Sequence, residues 1–135
     1  MPLPNGLTAD RIAMAVAAGR VALGLTALAL PAVPARPWVG ATAADPGAAL
    51  LARALGARDV ALGTGALAAL RGRPGLAESA WAWVAMGALA DALDSTVTIA
   101  AWHRLPRAGR WLVSAAAGGA AVAGAGSAAV LRSRH

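Results

Sequence analysis

The run WLVSAAAGGAAVAGAGSAAVL at residues 111–131 contains no charged side chain over 21 consecutive residues. An α-helix needs about 20 residues to cross the ~30 Å hydrocarbon core of a bilayer. Arginines stand on both sides of the run, in RLPRAGR before it and RSRH after it. A soluble protein could bury one such helix, but a chain of 135 residues has too few others to enclose it with three similar segments. The run therefore predicts a membrane-spanning helix.

Three further apolar segments precede this one, and helix-breaking residues separate them. Pro31 follows the first segment, and Pro46 opens the second, where the missing N–H of proline is tolerated. The sequence RGRPG at 71–75 separates the second from the third. Because the connections are short, neighbouring helices should be antiparallel. The sequence predicts an all-α fold, an integral membrane four-helix antiparallel bundle that forms one domain over residues 1–135, with helices at about 10–32, 46–70, 78–102 and 107–131.

The first segment has a second interpretation. Arg11, the apolar run after it and the sequence AVPARP are also typical of a secretory signal peptide and its cleavage site. However, Arg20 lies in the middle of the run, where a signal peptide disfavours a charge. We therefore expect a first transmembrane helix that the mature protein retains.

The distribution of charge favours a lipid bilayer over nucleic acid as the partner. The net charge of +6 comes from twelve Arg against five Asp and one Glu. The arginines form no basic stripe, and most of them lie at the ends of apolar runs, as in multispanning membrane proteins. The predicted side with both termini and the 71–77 loop carries five Arg, and the opposite side carries four. By this small margin the positive-inside rule favours cytoplasmic termini.

Charged residues also stand inside the predicted helices. One charge at the centre of a transmembrane helix costs about 2.5–3.5 kcal/mol on insertion scales, and pairing within the bundle lowers that cost. At a rise of ~1.5 Å per residue most of these charges lie at similar depths. The sequence therefore predicts an ion-pair cluster near the midplane, with a formal charge of zero if all six residues take part: Arg20, Arg53, Arg58, Asp59, Asp91 and Asp94.

The polar cluster extends along the third predicted helix. Asp91, Asp94, Ser95 and Thr98 have the spacing i, i+3, i+4, i+7, which is one helical face. Arg53 lies nearer the membrane surface, where its side chain can snorkel. The predicted intramembrane polar cluster therefore consists of Arg20, Arg58, Asp59, Asp91, Asp94, Ser95 and Thr98.

Small residues indicate where helices pack closely. The fourth predicted helix repeats small side chains every four residues, and such ridges let helix backbones approach in lipid. Packing within the bundle is the favoured interpretation, and a seam with a second copy or with another membrane protein is the alternative. The glycines predicted at helix contacts are Gly56, Gly63, Gly87, Gly119 and Gly124.

The sequence offers little for catalysis or for a metal. There is no Cys, and His103 and His135 have no ligand partner at a useful spacing, so we expect neither a metal site nor a cofactor. The Asp91–Asp94 pair resembles the start of the motif of membrane phosphotransferases that transfer alcohols from CDP. Those enzymes need a Gly after the second Asp and two further Asp, whereas Ser95 follows here. An enzymatic role is therefore not favoured.

Two roles remain for the charged cluster. In the first, it is a structural device that fixes helix register and packing. In the second, intramembrane carboxylates mark the pocket of a small membrane transporter, carrier or enzyme. The sequence favours the first role and leaves the second open.

The charged motifs resemble those of a family of small bacterial four-helix integral membrane proteins of unknown function. Its Gly-x-Arg-Asp-x-x-x-Gly motif is similar to GARDVALG at residues 56–63, and its Asp-Ala-x-Asp motif is similar to DALD at residues 91–94. An Arg in the first helix and a Pro near its end resemble Arg20 and Pro31. Relatives carry a polar residue or His early in the fourth helix, where this chain has only Ser114. The resemblance implies a multi-pass protein of the bacterial plasma membrane and names no substrate.

Overall fold

The computed structural model describes residues 5–134, and every regular element in that range is helical. The all-α prediction is therefore confirmed for this part of the chain, and His135 lies outside it. Short 3-10 turns at Gly40–Ala44, Ala77–Ser79 and Trp102–Arg104 lie in the connections. The α-helices are α1 (Asn5–Ala29), α2 (Ala32–Val39), α3 (Pro46–Leu70), α4 (Ala80–Ala100) and α5 (Arg107–Arg132).

The short helix α2 is an element that the sequence analysis did not predict. Helix α1 ends at Ala29, three residues before the predicted end, and Pro31 then takes the N-cap position of α2. Pro34 falls in the first turn of α2, where a missing N–H leaves no hydrogen bond unmade. Helix α2 ends at Val39, and Gly40 follows with a φ of 70°. The prolines that stop α1 therefore also start a second helix.

Helix α1 packs antiparallel against α3, and glycine allows their backbones to approach. A Cβ added at Gly24 would lie 2.6 Å from the carbonyl oxygen of Gly56, and one added at Gly56 would lie 2.7 Å from that of Gly24. Further along, a Cβ added at Gly63 would lie 2.8 Å from the carbonyl oxygen of Ala17. These separations are shorter than a Cβ tolerates, so side chains at these positions would push the two helices apart.

The remaining contacts place the four long helices in the cyclic order α1, α3, α4, α5. At the end of the bundle that holds the chain termini, Asp10 and Arg134 form an ion pair of 3.1 Å that joins α1 to the residues after α5. At the opposite end, the guanidinium of Arg110 on α5 lies 4.9 Å from the ring centre of Trp102, which follows α4. In the cyclic order α1, α3, α4, α5, helices α1 and α4 lie diagonally across the bundle.

Gly119 does not make the helix contact that the sequence predicted. It is exposed on α5, and nothing lies within 4 Å of a Cβ added there. By contrast, Gly124 is buried against Ala88 of α4. Because the two glycines are five residues apart, they lie on different faces of the helix. The expectation that both pack inside the bundle is corrected for Gly119.

The distribution of side chains is the inverse of that in most soluble domains. The buried apolar residues are mainly alanines, such as Ala13, Ala17 and Ala69. Large apolar side chains point outward instead, and Leu50 and Val122 are 69% and 76% exposed. The other exposed large residues on the four long helices include Leu23, Leu25, Leu51, Met86, Leu89, Leu93, Val97, Ile99, Trp111 and Leu112.

The inside of the bundle is packed at one end and hollow at the other. Toward the terminal end, a closed apolar core joins Ala13, Ala66, Val84 and Leu131 with their neighbours. Toward the α2 end, the helices border a cavity of about 560 Å³ that is partly open to the outside of the bundle. The charged residues that the sequence singled out lie between these two halves, on the wall of the cavity.

Two of the helices in the described range are long and apolar enough to cross a membrane. They are the stretch Thr8–Ala29 of α1 and the whole of α5, Arg107–Arg132. Helices α3 and α4, which carry three Asp and two Arg between them, are not among the two. A buried core helix of a soluble protein would meet the same criterion as α1 and α5.

Candidate functional site

Arg20 is the centre of a charged network that joins three helices. Its Nη1 donates to Oδ1 of Asp59 on α3 at 2.8 Å, and its Nη2 donates to Oδ2 of Asp91 on α4 at 2.5 Å. The same Nη2 also donates to the carbonyl oxygen of Gly87 at 2.9 Å. Only 7% of the Arg20 side chain is exposed. A single guanidinium on α1 thus binds its antiparallel neighbour and the diagonal helix together.

Gly87 lies beside this guanidinium, and a Cβ there would be in ordinary van der Waals contact with it. A Cβ added at Gly87 would lie 3.5 Å from Nε of Arg20 and 3.6 Å from its Nη2. The glycine therefore borders a side chain, whereas Gly56 and Gly63 border helix backbone. Gly87 lies one turn before Asp91 on the same face of α4. Arg20 can therefore reach both the carbonyl oxygen of Gly87 and the carboxylate of Asp91.

Arg58 forms a second pair of contacts at the edge of the network. Its Nη1 and Nη2 donate to the two oxygens of Asp94 at 3.1 and 2.7 Å, a bidentate arrangement. Its Nε and Nη2 also lie 3.3 and 3.2 Å from Oδ1 of Asp59. The side chains of Arg58 and Asp94 are 31% and 21% exposed, so this pair is more accessible than Arg20. Asp59 is the residue that links both arginines.

Arg53 lies outside the network, so the formal charge of the network does not include it. Its side chain is exposed, and its Nε donates to the carbonyl oxygen of Leu28 at 3.2 Å. The sequence counted three Arg against three Asp, whereas the structure brings two Arg together with three Asp. With every group ionised, the assembled network carries a formal charge of −1. We call these five residues, Arg20, Arg58, Asp59, Asp91 and Asp94, the charged network.

Ser95 and Thr98, also predicted in the polar cluster, make no hydrogen bond to the side chains of the charged network. Thr98 is buried, and its hydroxyl donates to the carbonyl oxygen of Asp94 one turn earlier at 2.6 Å. The Oγ of Ser95 lies 3.7 Å from the position of a Cβ at Gly118, so it faces α5. Both hydroxyls lie on the predicted face of α4, but Thr98 bonds its own helix and Ser95 faces α5.

Two carboxylate oxygens of the charged network have no hydrogen-bond donor among the described residues. Asp59 accepts all its bonds through Oδ1, and Asp91 accepts only through Oδ2. Among the described residues, only Arg110 Nε and Ser114 Oγ are side-chain atoms that are both fully buried and without a partner. The second oxygens of Asp59 and Asp91 are therefore not fully buried. Acceptor capacity therefore remains, and it is open to the space beside the network.

That space is the cavity of about 560 Å³ at the α2 end. Helix α2 borders it through Pro34, Pro37 and Trp38, and all five members of the charged network line it. The rest of the lining is mainly apolar and comes from α1, α3 and α5, including Val16, Leu23, Leu55, Leu112, Val113, Ala116, Ala117 and Ala120.

Sequence reasoning missed three features of this region. The cavity itself has no signal in the sequence, because it depends on how the helices splay. Helix α2 was missed because its prolines were interpreted only as helix breakers. The third is Gly109 of α5, where an added Cβ would overlap the carbonyl oxygen of Pro37, so this glycine seats α2 against the start of α5.

No metal centre is formed by the acidic side chains and histidines of residues 5–134, since no group of three or more is placed to hold an ion. Comparison of the chain with known protein families, with curated proteins and with solved structures gives no match. The site therefore has to be interpreted from its own geometry.

Proposed function

We propose that this protein is an integral membrane protein of four transmembrane helices, in which the charged network clamps α1, α3 and α4 in register. The observation that carries the proposal is the inverted distribution of side chains, with alanine and glycine inside and Leu, Ile, Val and Met outside. A monomeric soluble protein rarely exposes large apolar side chains in such number while it buries mainly alanine. In a bilayer the same surface needs no water, and small residues provide the close helix contacts.

The charged network supports the same assignment. Charges inside a transmembrane segment face the bundle interior and pair with one another, as Arg20 does with Asp59 and Asp91. Aromatic and arginine side chains lie at both ends of the bundle, with Arg132 5.0 Å from the ring centre of Trp81 and Arg110 beside Trp102. Tryptophan favours the membrane–water interface, which these two ends would occupy. Membership of the family of small bacterial four-helix membrane proteins stays part of this proposal.

Site-directed labelling tests the membrane topology directly, because the chain has no native cysteine. Exposed positions at the two ends of the bundle are Glu78 and Ser133 at one end and Thr42 and His103 at the other. In single Cys variants of intact bacterial cells, we expect a membrane-impermeant maleimide to label the Thr42→Cys and His103→Cys proteins. The Glu78→Cys and Ser133→Cys proteins should label only after lysis, because the positive-inside rule favours cytoplasmic termini.

The reverse pattern of labelling would keep the four-span bundle and invert its orientation. If instead all four variants label only after lysis and the protein is recovered in the soluble fraction without detergent, the membrane proposal is wrong.

A second candidate function is a small transporter, carrier or membrane-embedded enzyme that uses the carboxylates. The observation in its favour is the cavity, because a clamp alone does not need an empty volume beside it. All five residues of the charged network line this volume. Intramembrane ionisable residues that line a cavity are typical of substrate and ion pathways.

Asp94→Asn separates the two candidates. If the charged network is a clamp, this substitution removes the negative charge that Arg58 binds in a bidentate pair. The free energy of unfolding should then fall by about 1 kcal/mol, a modest loss because the pair is partly exposed. A working site would retain its folding and lose a ligand-dependent response. The measurement is thermal unfolding by circular dichroism in detergent, and Asp45→Asn is the control because Asp45 is exposed and makes no side-chain cap bond. Equal stability of both variants would argue against the clamp.

A further inference from the structure

We propose that the cavity at the α2 end binds an apolar organic cation, an ammonium ion with hydrophobic substituents. The proposal rests on the proposed membrane bundle, and it gives the second candidate function a ligand class. It does not depend on whether the charged network also acts as a clamp. Three properties of the cavity lead to it: its size and lining, its charge, and its open acceptor atoms.

The size and lining fit a small organic molecule. A volume of about 560 Å³ lies within the range of about 300–1,000 Å³ that is usual for ligand pockets. The polar groups are concentrated in the charged network, and leucine, valine, alanine and proline form most of the remaining lining. Such a cavity suits a molecule with one polar end and an apolar body. Water alone would be held by few partners along the apolar wall.

The charge of the cavity selects a cation. Three Asp and two Arg line it, so its formal charge is −1, and Arg53 does not compensate because its side chain lies outside. Both arginines are already occupied: Arg58 donates through all three of its nitrogens to carboxylates, and Arg20 donates through both terminal nitrogens. Arg58 uses four of its five N–H donors and Arg20 uses three of five, so an anion would find few open donors and would meet three carboxylates.

The open acceptor atoms favour an ammonium group with N–H donors. The second oxygens of Asp59 and Asp91 have no donor among the described residues, and both residues line the cavity. A protonated amine supplies donors and one positive charge, which together satisfy these oxygens and neutralise the site. Trp38 also lines the cavity, and indole is the best aromatic partner for a cation.

Two other occupants fit less well. A lipid acyl chain would fill the apolar part and leave both carboxylate oxygens without a donor and the charge uncompensated. A divalent metal needs more ligands than the described residues gather, since no group of three acidic or histidine side chains is placed to hold one. The ammonium ion is the occupant whose chemistry matches both parts of the cavity.

Calorimetric titration with three probes of one shape tests the charge preference. The full chain, in a neutral maltoside detergent, is titrated with para-tert-butylbenzylammonium, para-tert-butylbenzyl alcohol and para-tert-butylbenzoate, with detergent alone as the blank. We expect the ammonium ion to bind at least about tenfold more tightly than the alcohol and the benzoate not to bind, because the neutral and anionic heads leave the site charge uncompensated. Equal binding of all three probes would identify an apolar slot for lipid and overturn the proposal.

A matched pair of variants locates the binding. Gly19 lines the cavity and Gly119 does not, and a Cβ added at either position meets nothing within 4 Å. Gly19→Leu should therefore fill part of the cavity without a clash and weaken ammonium binding at least about tenfold, whereas Gly119→Leu should bind as the wild type does. Ala117→Phe is a second filling variant from a different helix. Circular dichroism verifies that each variant is folded.

The failure of this proposal is distinguishable from failure of the membrane assignment. If the cysteine labels place the two ends on opposite sides of a membrane and ammonium binding is absent or unaffected by both filling variants, only the ligand site is wrong. If ammonium binding is lost in Gly119→Leu as well as Gly19→Leu, the binding is not in the cavity and the proposal is overturned. A change of oligomeric state in Gly19→Leu alone would show that a second copy covers the cavity instead, which also overturns it.

Discussion

Arg20→Met should destabilise the protein by about 3–5 kcal/mol, the cost of removing one partner from a buried ion pair. Arg20 is the only residue of the described chain that donates a hydrogen bond to Asp91, and it shares Asp59 with Arg58. Its loss leaves Asp91 as an uncompensated charge inside the bundle, and it also frees the carbonyl oxygen of Gly87. The measurement is the midpoint of thermal or denaturant unfolding of the detergent-solubilised protein, followed by helicity.

Arg53→Met is the matched control, because it removes the same side chain from an exposed position on α3. Its only described hydrogen bond is to the carbonyl oxygen of Leu28 at 3.2 Å, so the change should stay within about 0.5 kcal/mol. The double variant Arg20→Met/Asp91→Asn should regain part of the loss, since removing both charges avoids the unpaired carboxylate. If Arg20→Met and Arg53→Met are equally stable, the charged network does not hold the bundle.

Gly56→Leu is the second change for which we expect a large effect, a loss of about 1–3 kcal/mol. The first side-chain atom would already lie 2.7 Å from the carbonyl oxygen of Gly24 and 2.8 Å from Cβ of Ala27. The first of these neighbours is backbone, which cannot rotate away, so α1 and α3 would have to separate. That separation would also displace Arg20 from Asp59. Unfolding in detergent measures the loss, and the distance between the helices can be followed with spin labels.

Gly119→Leu is the control for Gly56→Leu. It makes the same substitution in open space on α5, so stability should be unchanged or should rise by up to about 1 kcal/mol through the higher helix propensity of leucine. A loss at Gly119 as large as that at Gly56 would mean that the outer face of α5 is a packing surface, for example with a second copy. The close contact of α1 and α3 at Gly24 and Gly56 would then not be the main helix contact that stabilises the bundle.

Some of the candidate site could be predicted, because charges on apolar helices are costly unless they pair with opposite charges inside the bundle. Asp59 and Asp91 were expected at one depth, within reach of the long side chain of Arg20, and the structure places Arg20 in direct contact with both. The partner of Arg58 was less constrained, since this side chain points about 100° away from Asp59 on an ideal helix. Its length allows it to reach Asp94 on the next helix and still contact Asp59.

Other features could not be predicted, because they depend on which face of each helix turns inward. Arg53 was counted in the sum of six intramembrane charges but was expected near the membrane surface, outside the polar cluster. The structure leaves it exposed, so the formal charge of the charged network is −1 and not zero. The small residues of α5 look alike in the sequence, yet Gly124 is buried and Gly119 is exposed. Gly87 was predicted as a packing glycine, and its nearest neighbour is the guanidinium of Arg20 and not a helix backbone.

By itself, the sequence determined the helical class, the breaks at Pro31 and at Gly72 to Gly75, and the need for inner Arg and Asp residues to pair. These properties follow from local rules: apolar length, missing N–H groups and the cost of an unpaired charge. Only the tertiary structure decided which carboxylates each arginine binds, where α2 lies and that one half of the bundle is hollow. Those outcomes depend on the rotation and splay of helices with small residues on several faces. Similar faces therefore compete until contacts between specific glycines and charges select one arrangement.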